Sequence, residues 1–240
     1  MSDANPQPLR HSQEPGTTLT SWQAGKALSR AMISGYVDAY ALLNFGVFVS
    51  FMTGNTTSGG VRAGQAELAA AGHNLLPIPC FVLGILAGTL LVRSDPARAL
   101  RRLTVVVAAM LAVGVARAYF AWPEWIGIVV LSSAMGILNA SITRVGGQAV
   151  SLGFMTGDLN NLARHFAGAI LRQPVEQAQG QSDTHWRRAA LLGGLWAVFL
   201  AGAVVEAALG SRTGVWTLLP PALALLALGL LEPAATTAAR

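Results

Sequence analysis

Residues 75–92 read LLPIPCFVLGILAGTLLV and contain no charged side chain. A helix needs about 20 predominantly apolar residues to cross the roughly 30 Å hydrocarbon core of a bilayer. Five other predominantly apolar runs of similar length lie at residues 31–52, 103–121, 125–143, 189–209 and 215–231. This pattern predicts an all-α fold, a polytopic transmembrane helical bundle with six spans.

The composition of the whole chain is that of a lipid-facing protein. Of its 240 residues 53% are hydrophobic and 11% are charged, and the mean hydropathy is +0.51, which does not suit a water-facing surface. The net charge of +5 comes from basic residues scattered between apolar runs, without the basic patch that a nucleic-acid partner requires. We therefore predict the lipid bilayer as a partner and no nucleic-acid binding.

The basic residues also predict which side of the membrane each loop occupies. With the N-terminus in the cytoplasm, only Arg62, Arg117 and Arg212 of the 16 Lys and Arg residues fall on the outer side. Short cytoplasmic loops carry an excess of Lys and Arg. We therefore predict a multi-pass protein with both termini in the cytoplasm, and the ratio of fifteen Arg to one Lys, typical of GC-rich bacterial genomes, favours the bacterial inner membrane. Residues 1–25, which are polar, are predicted to be a disordered cytoplasmic segment, and residues 233–240 a cytoplasmic tail.

An internal repeat relates the two halves of the sequence. FMTGN at residues 51–55 recurs as FMTGD at residues 154–158, an offset of 103. The Gly-x-x-Asp-Ala string that begins at Gly35 corresponds to the Gly-x-x-Asn-Ala string that begins at Gly136, an offset of 101. Later matches at an offset of 118 pair Phe81 with Phe199 and Gly84 with Gly202, and place Glu206 opposite Gly88.

The repeat predicts two units of three spans each, residues 26–122 and residues 123–232. Because each unit crosses the membrane an odd number of times, the second unit must enter with the opposite orientation. Inverted repeats of this kind are typical of transporters, whose two halves exchange conformations to open alternately to each side.

The repeated strings also resemble a known family. Gly35-x-x-Asp38-Ala, the string from Met52 to Asn55 and the run from Gly136 through Arg144 to Gly157 look like the YoaK family of bacterial membrane proteins, over about residues 25–232. The resemblance implies six spans and a domain of unknown function, and it supplies no substrate. Asp158 departs from the pattern of that family, in which Asn or another polar residue is expected.

Asp38 lies about seven residues into the first predicted span, roughly 10 Å along the helix axis from its inner end. An ionisable side chain at this depth is costly and normally faces the bundle interior, water or a partner. Two interpretations stay open. Asp38 is either a binding site for a proton or cation, or a structural acid that hydrogen-bonds to another helix, for example at Asn139.

The repeated Thr-Gly strings end apolar runs with helix-breaking residues. We expect the backbone to open over residues 53–60 and a short half-helix to follow over residues 61–72, with free amides that could receive a solute. A tight turn with close helix packing is the alternative. The predicted substrate-binding residues are Asp38, Thr53, Gly54, Asn55, Asn139, Thr156, Gly157 and Asp158.

After the second string, Leu159, Leu162, Phe166 and Ile170 form an apolar stripe at helical spacing. This stripe predicts an amphipathic helix. The helix either lies on the inner membrane surface, which we favour, or dips into a pore.

Glu206 and three glycines lie within the predicted spans. We assign the glycines to helix packing and Glu206 to charge balance. Glu206, near the outer end of the fifth span, is expected to snorkel or to form a salt bridge with Arg117 or Arg212 rather than to act in transport. Small side chains let membrane helices approach closely. The candidate helix-packing residues are Gly84, Gly88 and Gly202.

The sequence carries no signature of an enzyme. It lacks the zinc-protease helix motif, the phosphate-binding loop, the dinucleotide fingerprint and the nucleophile elbow. Its four histidines are scattered among predicted loops, and its one cysteine cannot form a disulfide within the chain. We therefore predict no enzymatic activity, no metal site and no cofactor.

The resulting hypothesis is a small-solute permease or transporter with its site at the interface of the two repeats. The alternative is a non-transporting membrane scaffold or accessory subunit that binds protein or lipid through the basic inner segment, residues 144–188. Because six spans are few for a lone carrier, we expect a homodimer under either hypothesis.

Overall fold

The computed structural model describes residues 21–94, 96–141, 144–145, 148–150, 155–176, 178, 180 and 182–231. The helices in these ranges are α1 (Ser21–Phe45), α2 (Met52–Gly64), α3 (Leu68–Leu75), α4 (Pro77–Ser94), α5 (Pro96–Tyr119), α6 (Glu124–Ser141), α7 (Met155–Ile170), α8 (His185–Thr213) and α9 (Leu219–Leu231). A hairpin of two antiparallel strands with two residues each, β1 (Arg144–Val145) and β2 (Gln148–Ala149), lies between α6 and α7. The predicted terminal segments lie outside the described residues except for residues 21–25, where the prediction of disorder is wrong because these residues form the first turn of α1.

Four described helical stretches are long and apolar enough to cross a membrane, namely Leu68–Arg93, Arg98–Tyr119, Glu124–Ser141 and His185–Trp216. The chain is therefore an all-α, polytopic membrane protein. α9 is apolar but has only 13 residues, and α1 has 25 residues but carries Lys26, Arg30 and Asp38. Each of the six predicted spans has a helix at its position, and the number of crossings stays a prediction.

The long helices pack in pairs. α1 lies along α8, α4 lies along α6, and α5 contacts both α6 and α9. The core contains fully buried aliphatic side chains, among them Leu103, Leu111, Ile128, Leu131, Leu192, Leu195 and Leu225. Because lipid tails are as apolar as leucine, such a core is stabilised by close packing rather than by the removal of water.

The α1–α8 pair crosses at two facing glycines. A Cβ atom added at Gly35 would collide with the backbone carbonyl of Phe199, and one added at Gly202 would collide with the backbone carbonyl of Met32. The absence of both side chains lets the two backbones touch. This contact requires glycine on both helices.

The α4–α6 pair crosses in the same way. A Cβ atom added at Gly84 would collide with the carbonyl of Ser133, and one added at Gly136 with the carbonyl of Phe81. One turn further along α4, a Cβ atom at Gly88 would lie 2.9 Å from the Cβ atom of Ala140. The two crossings are thus built from residues that the sequence repeat places in matching positions.

The break after the first helix lies earlier than the sequence predicted. α1 ends at Phe45, Gly46 adopts a φ of +68°, and residues 46–51 run without regular structure before α2 begins. The predicted opening over residues 53–60 is wrong, because those residues belong to α2. The predicted half-helix over residues 61–72 is also wrong, since the chain turns between α2 and α3, where Ala66 has a φ of 62°.

The threonine hydroxyls of α2 find their partners inside the helix. The side chain of Thr56 donates to the carbonyl of Met52 at 2.9 Å, and that of Thr57 donates to the carbonyl of Thr53 at 3.0 Å. These bonds satisfy the hydroxyls within their own helix. Gly59 lies against the side chain of Leu75, so α2 packs closely on α3.

Candidate functional site

The irregular segment between α1 and α2, residues 46–51, is held by Asp38. The Oδ1 atom of Asp38 accepts the backbone N–H groups of Val49 at 2.7 Å and of Ser50 at 2.8 Å. Its Oδ2 atom accepts the hydroxyl of Ser50 at 2.8 Å. Asp38 is 4% exposed, so these bonds supply the polar contacts that a buried carboxylate requires.

Asn55 holds the same segment from its other end. Its Oδ1 atom accepts the backbone N–H of Phe48 at 2.9 Å, and its Nδ2 atom donates to the carbonyl of Phe48 at 2.6 Å. The side-chain amide thereby bonds to both the N–H and the carbonyl of Phe48, as a residue of a neighbouring β-strand would. Together Asp38 and Asn55 bond to backbone groups of Phe48, Val49 and Ser50 in a segment whose Val47 and Val49 side chains are fully buried.

The suggested bond between Asp38 and Asn139 is wrong, because the partners of Asp38 are Val49 and Ser50. Of the other predicted residues in the first half, Thr53 is exposed and Gly54 lies against the rings of Phe48 and Phe51. The structure thus joins Asp38 and Asn55 in one polar unit that shapes the segment.

The predicted residues of the second half lie on α6 and α7. α7 begins at Met155, the counterpart of Met52 at the start of α2. Asp158, the counterpart of Asn55, is 3% exposed in the first turn of α7, and Thr156 is exposed. Gly157 is half-buried in the same turn and Asn139 is half-buried near the end of α6. α7 packs on α8 whereas α2 packs on α3 and α4, so the two Thr-Gly strings lie against different helices.

A chain of hydrogen bonds that sequence reasoning missed links α7, α8 and the hairpin. His165 Nε2 lies 2.7 Å from Gln148 Oε1, and His165 Nδ1 lies 2.9 Å from His185 Nδ1. Both ring nitrogens of His165 therefore have a hydrogen-bond partner, one on the strand β2 and one on α8. Gly168 leaves room for the ring of His185.

The charge surrounding His165 favours the neutral ring. Burial lowers the pKa of His165 below its ordinary value of 6.5, and the positive charge of Arg188 lowers it further. His185 and Arg164 act in the same direction, and Asp183 opposes them. Asp183 itself forms a bidentate salt bridge with Arg188, with nitrogen–oxygen distances of 2.9 and 2.7 Å.

Sequence reasoning missed this chain for a simple reason. The four histidines were taken as scattered among loops, whereas His73, His165 and His185 all lie within helices. His165 and His185 are 20 residues apart, with a turn between their helices, so no helical or strand spacing relates them. Only the packing of α7 on α8 brings them together.

The predicted salt bridge and the predicted snorkelling of Glu206 are both wrong. Glu206 is 1% exposed and is not ion-paired to Arg117 or Arg212 among the described residues. Arg117 instead lies over the ring of Phe45, 5.1 Å from its centroid. Glu206 thus sits inside the bundle rather than at its surface.

The sequence as a whole matches a family of membrane proteins. The family described as "Protein of unknown function (DUF1275)" matches residues 27–231. This chain belongs to the DUF1275 family. The match covers every helix of the described structure apart from the first residues of α1, which agrees with the extent of the resemblance found in the repeated strings.

A similar protein confirms the membrane assignment. The chain is similar to the UPF0700 transmembrane protein RA0705 of Rhizobium meliloti (strain 1021), with 33% identity over 207 residues that cover 85% of this chain and 84% of the relative. No solved structure matches the chain. The comparisons therefore establish a transmembrane protein family and leave substrate and partner to inference.

Proposed function

We propose that this DUF1275 protein is a small-solute transporter of the bacterial inner membrane, built from two inverted units of three spans with both termini in the cytoplasm. The units correspond to residues 26–122 and 123–232. The N-terminal helix of each unit is followed by a polar string that starts a second, shorter helix, α2 in one unit and α7 in the other.

The observation that carries the proposal is the correspondence of the two glycine crossings. Gly35 meets α8 at Phe199, and Gly136 meets α4 at Phe81, so both partners occupy matching positions of the repeat. Each crossing joins the first long helix of one unit to the second long helix of the other. Interlocked units of this kind suit alternating access, in which the two halves exchange conformations.

The packing also supplies candidate moving parts. The extensive contacts divide four of the long helices into two pairs, α1 with α8 and α4 with α6, whereas α1 touches α6 only slightly. We propose that the two pairs rock against each other while their glycine crossings stay closed. Bundles that rock as rigid bodies around a fixed site are the usual basis of alternating access.

The polar strings act as the two gates in this proposal. Asp38, Thr53, Gly54 and Asn55 form the outer set, in which the bonds of Asp38 and Asn55 fix the segment between α1 and α2. The inner set consists of Asn139, Thr156, Gly157 and Asp158. A solute contacts the two sets in turn, and the proton or cation considered for Asp38 would move with it.

Transport is tested by stopped-flow light scattering of proteoliposomes, which follows vesicle volume after a step in external solute. Glycerol, urea, glycine and ethylammonium chloride sample neutral, zwitterionic and cationic solutes. We expect at least one solute to enter faster than in protein-free vesicles, and Gly35→Leu to abolish the difference because it separates α1 from α8. Gly25→Ala, at an open position of the same helix, is the matched control. Rates equal to those of protein-free vesicles for every solute contradict the proposal.

A second candidate function, a non-transporting scaffold, is favoured by one surface. α7 exposes Phe166 and Ile170, and Phe166 packs edge-on against the exposed Trp186 with ring centroids 5.7 Å apart. This apolar face suits a lipid surface or a partner helix. A stoichiometric partner that co-purifies in mild detergent, and that Ile170→Glu releases, would support this function over transport.

A further inference from the structure

Glu206 is a buried acid that forms no ion pair with any residue the structure describes. Its Oε2 atom is shielded from solvent and has no hydrogen-bond partner in the part of the chain that the structure describes. The carboxylate lies against Gly210, where an added Cβ atom would approach it to 2.6 Å. A buried carboxylate is costly unless a charge or a donor meets it, so an orphaned oxygen indicates a missing partner.

A cavity of about 470 Å³ lies beside this carboxylate, between α1 and the last turns of α8. Tyr40, Asn44, Ser211 and Thr217 give it polar walls, and Leu43 and Ala207 are among its apolar walls. Its size falls within the range of small-molecule sites. A cavity of this size beside a carboxylate oxygen that has no hydrogen-bond partner among the described residues has the features of a ligand-binding site.

Hydrogen bonds hold the part of the cavity lining that contains Thr217 and Asn44. Tyr36 donates its hydroxyl to the carbonyl of Thr217 at 2.8 Å, and Thr213 donates its hydroxyl to the Thr217 side chain at 2.8 Å. Asn44 donates its amide to the carbonyl of Tyr40 at 2.8 Å, which leaves its side-chain oxygen as an acceptor. The cavity is therefore preorganised and rich in acceptors.

The cavity lies close to a boundary between lipid and water. Trp216, next to Thr217, is 52% exposed and packs against the exposed Tyr119 with ring centroids 5.8 Å apart. Exposed clusters of Trp and Tyr are typical of the membrane interface. A water-borne ligand can thus reach the cavity without crossing the hydrocarbon core.

We infer that this cavity binds a small organic cation of the protonated-amine class, with Glu206 as its counterion. An ammonium group in the cavity supplies the countercharge that the Glu206 carboxylate lacks among the described residues, and the acceptor oxygens of Asn44 and Thr217 can receive its protons. The apolar walls and the ring of Tyr40 suit the carbon part of the ligand. A metal ion is a poorer fit, since no group of three metal-binding side chains occurs among the described residues.

The site belongs to one half of the protein only. The position that matches Glu206 in the first unit is Gly88, which packs against Ala140. The inference concerns binding alone, so it holds or fails whether or not the protein transports a solute.

The test is a thermal-shift titration of the full-length protein in detergent with n-butylammonium chloride, beside n-butanol and sodium n-butyrate. We expect a saturable rise in Tm with butylammonium and none with the alcohol or the anion. Glu206→Gln should weaken the apparent affinity about thirtyfold or more, because it removes one partner of a buried charge pair. Glu67→Gln, which removes an exposed acid that pairs with Arg62, should leave the affinity unchanged.

A second variant keeps the test decisive if Glu206→Gln does not fold. Ser211→Leu keeps the carboxylate and fills the cavity from an exposed position of α8, so it should abolish the butylammonium shift in a folded protein. An equal shift with n-butanol would overturn the inference in favour of a purely apolar pocket. An undiminished shift in either variant, or no shift in the wild type, would also overturn it.

Discussion

Asp38 binds both hydrogen-bond donors of Ser50: its Oδ1 atom accepts the backbone N–H and its Oδ2 atom accepts the hydroxyl, each at 2.8 Å. Both residues are almost completely buried, and they are twelve positions apart in the sequence. The interaction fixes the path of the chain after it leaves α1 and before it enters α2. An acid at this position therefore has a structural task, whatever else it binds.

Replacement of this acid should destabilise the protein more than replacement of its hydroxyl partner. Asp38→Ala leaves the buried amides of Val49 and Ser50 without an acceptor, and each orphaned group costs about 1–3 kcal/mol. We expect Asp38→Ala to lower the free energy of unfolding by about 3 kcal/mol and Ser50→Ala by about 1 kcal/mol. Unfolding by SDS in mixed micelles, followed by circular dichroism, measures both. Equal, small effects would show that the segment does not depend on Asp38.

The glycine crossings predict paired effects in the two halves. Gly35→Ala and Gly136→Ala each place a Cβ atom against a backbone carbonyl, and overpacking of this kind costs about 1–3 kcal/mol. Gly25→Ala and Gly60→Ala add a Cβ atom in open helical space, where alanine is favoured over glycine by about 0.5–1 kcal/mol. The same unfolding assay should thus separate the four variants by sign. Loss at one crossing and none at the other would contradict their equivalence.

His165 predicts a loss of stability in mild acid. Its pKa lies below 6.5 in the folded protein, chiefly because of burial and then because of Arg188. As the pH falls below 6.5, the unfolded chain takes up a proton that the folded protein refuses, so stability decreases. We expect the Tm of the wild type to be lower at pH 5.5 than at pH 7.5, two values that lie about one unit either side of the ordinary histidine pKa of 6.5. The decrease in Tm should be smaller in His165→Asn. An identical decrease in that variant would show that His165 does not cause the pH dependence.

The orientation of α7 predicts a difference in solvent around the helix. Ile170 is 74% exposed on the apolar face, whereas Asn160 is exposed on the polar face. In a Cys80→Ala background, a spin label at residue 170 should be relaxed mainly by oxygen, which concentrates in lipid. A label at residue 160 should be relaxed mainly by a water-soluble nickel chelate. A water-exposed label at both positions would favour a helix that lines a pore.

The sequence predicted the positions of the long helices and of the close contacts better than it predicted the breaks. Apolar runs of about 20 residues have few alternatives to a helix in lipid, so each predicted span has a helix at its position. The offset between Gly35 and Gly136 was readable because the repeat preserves spacing. The crossing itself needed the structure, since nothing in the sequence states that Gly35 faces Gly202.

The break at residues 46–51 could not be read from hydropathy, because Val47, Val49 and Phe51 continue the apolar run of α1. The segment is buried without regular structure only because Asp38 and Asn55 supply its hydrogen bonds. These bonds join residues seven to twelve positions apart, a spacing that belongs to neither helix nor strand. The same limitation concealed the contact of His165 with His185, which depends on the packing of two helices.

The most direct test of the account asks from which side the two Thr-Gly strings are reached. In a Cys80→Ala background, Thr53→Cys and Thr156→Cys place one thiol at each exposed threonine at the start of α2 and α7. A membrane-impermeant maleimide is applied to right-side-out and to inverted vesicles. Inverted units predict that residue 53 is labelled only from the outer side and residue 156 only from the cytoplasmic side. Labelling of both residues from the same side would contradict the inverted repeat and the alternating access built on it.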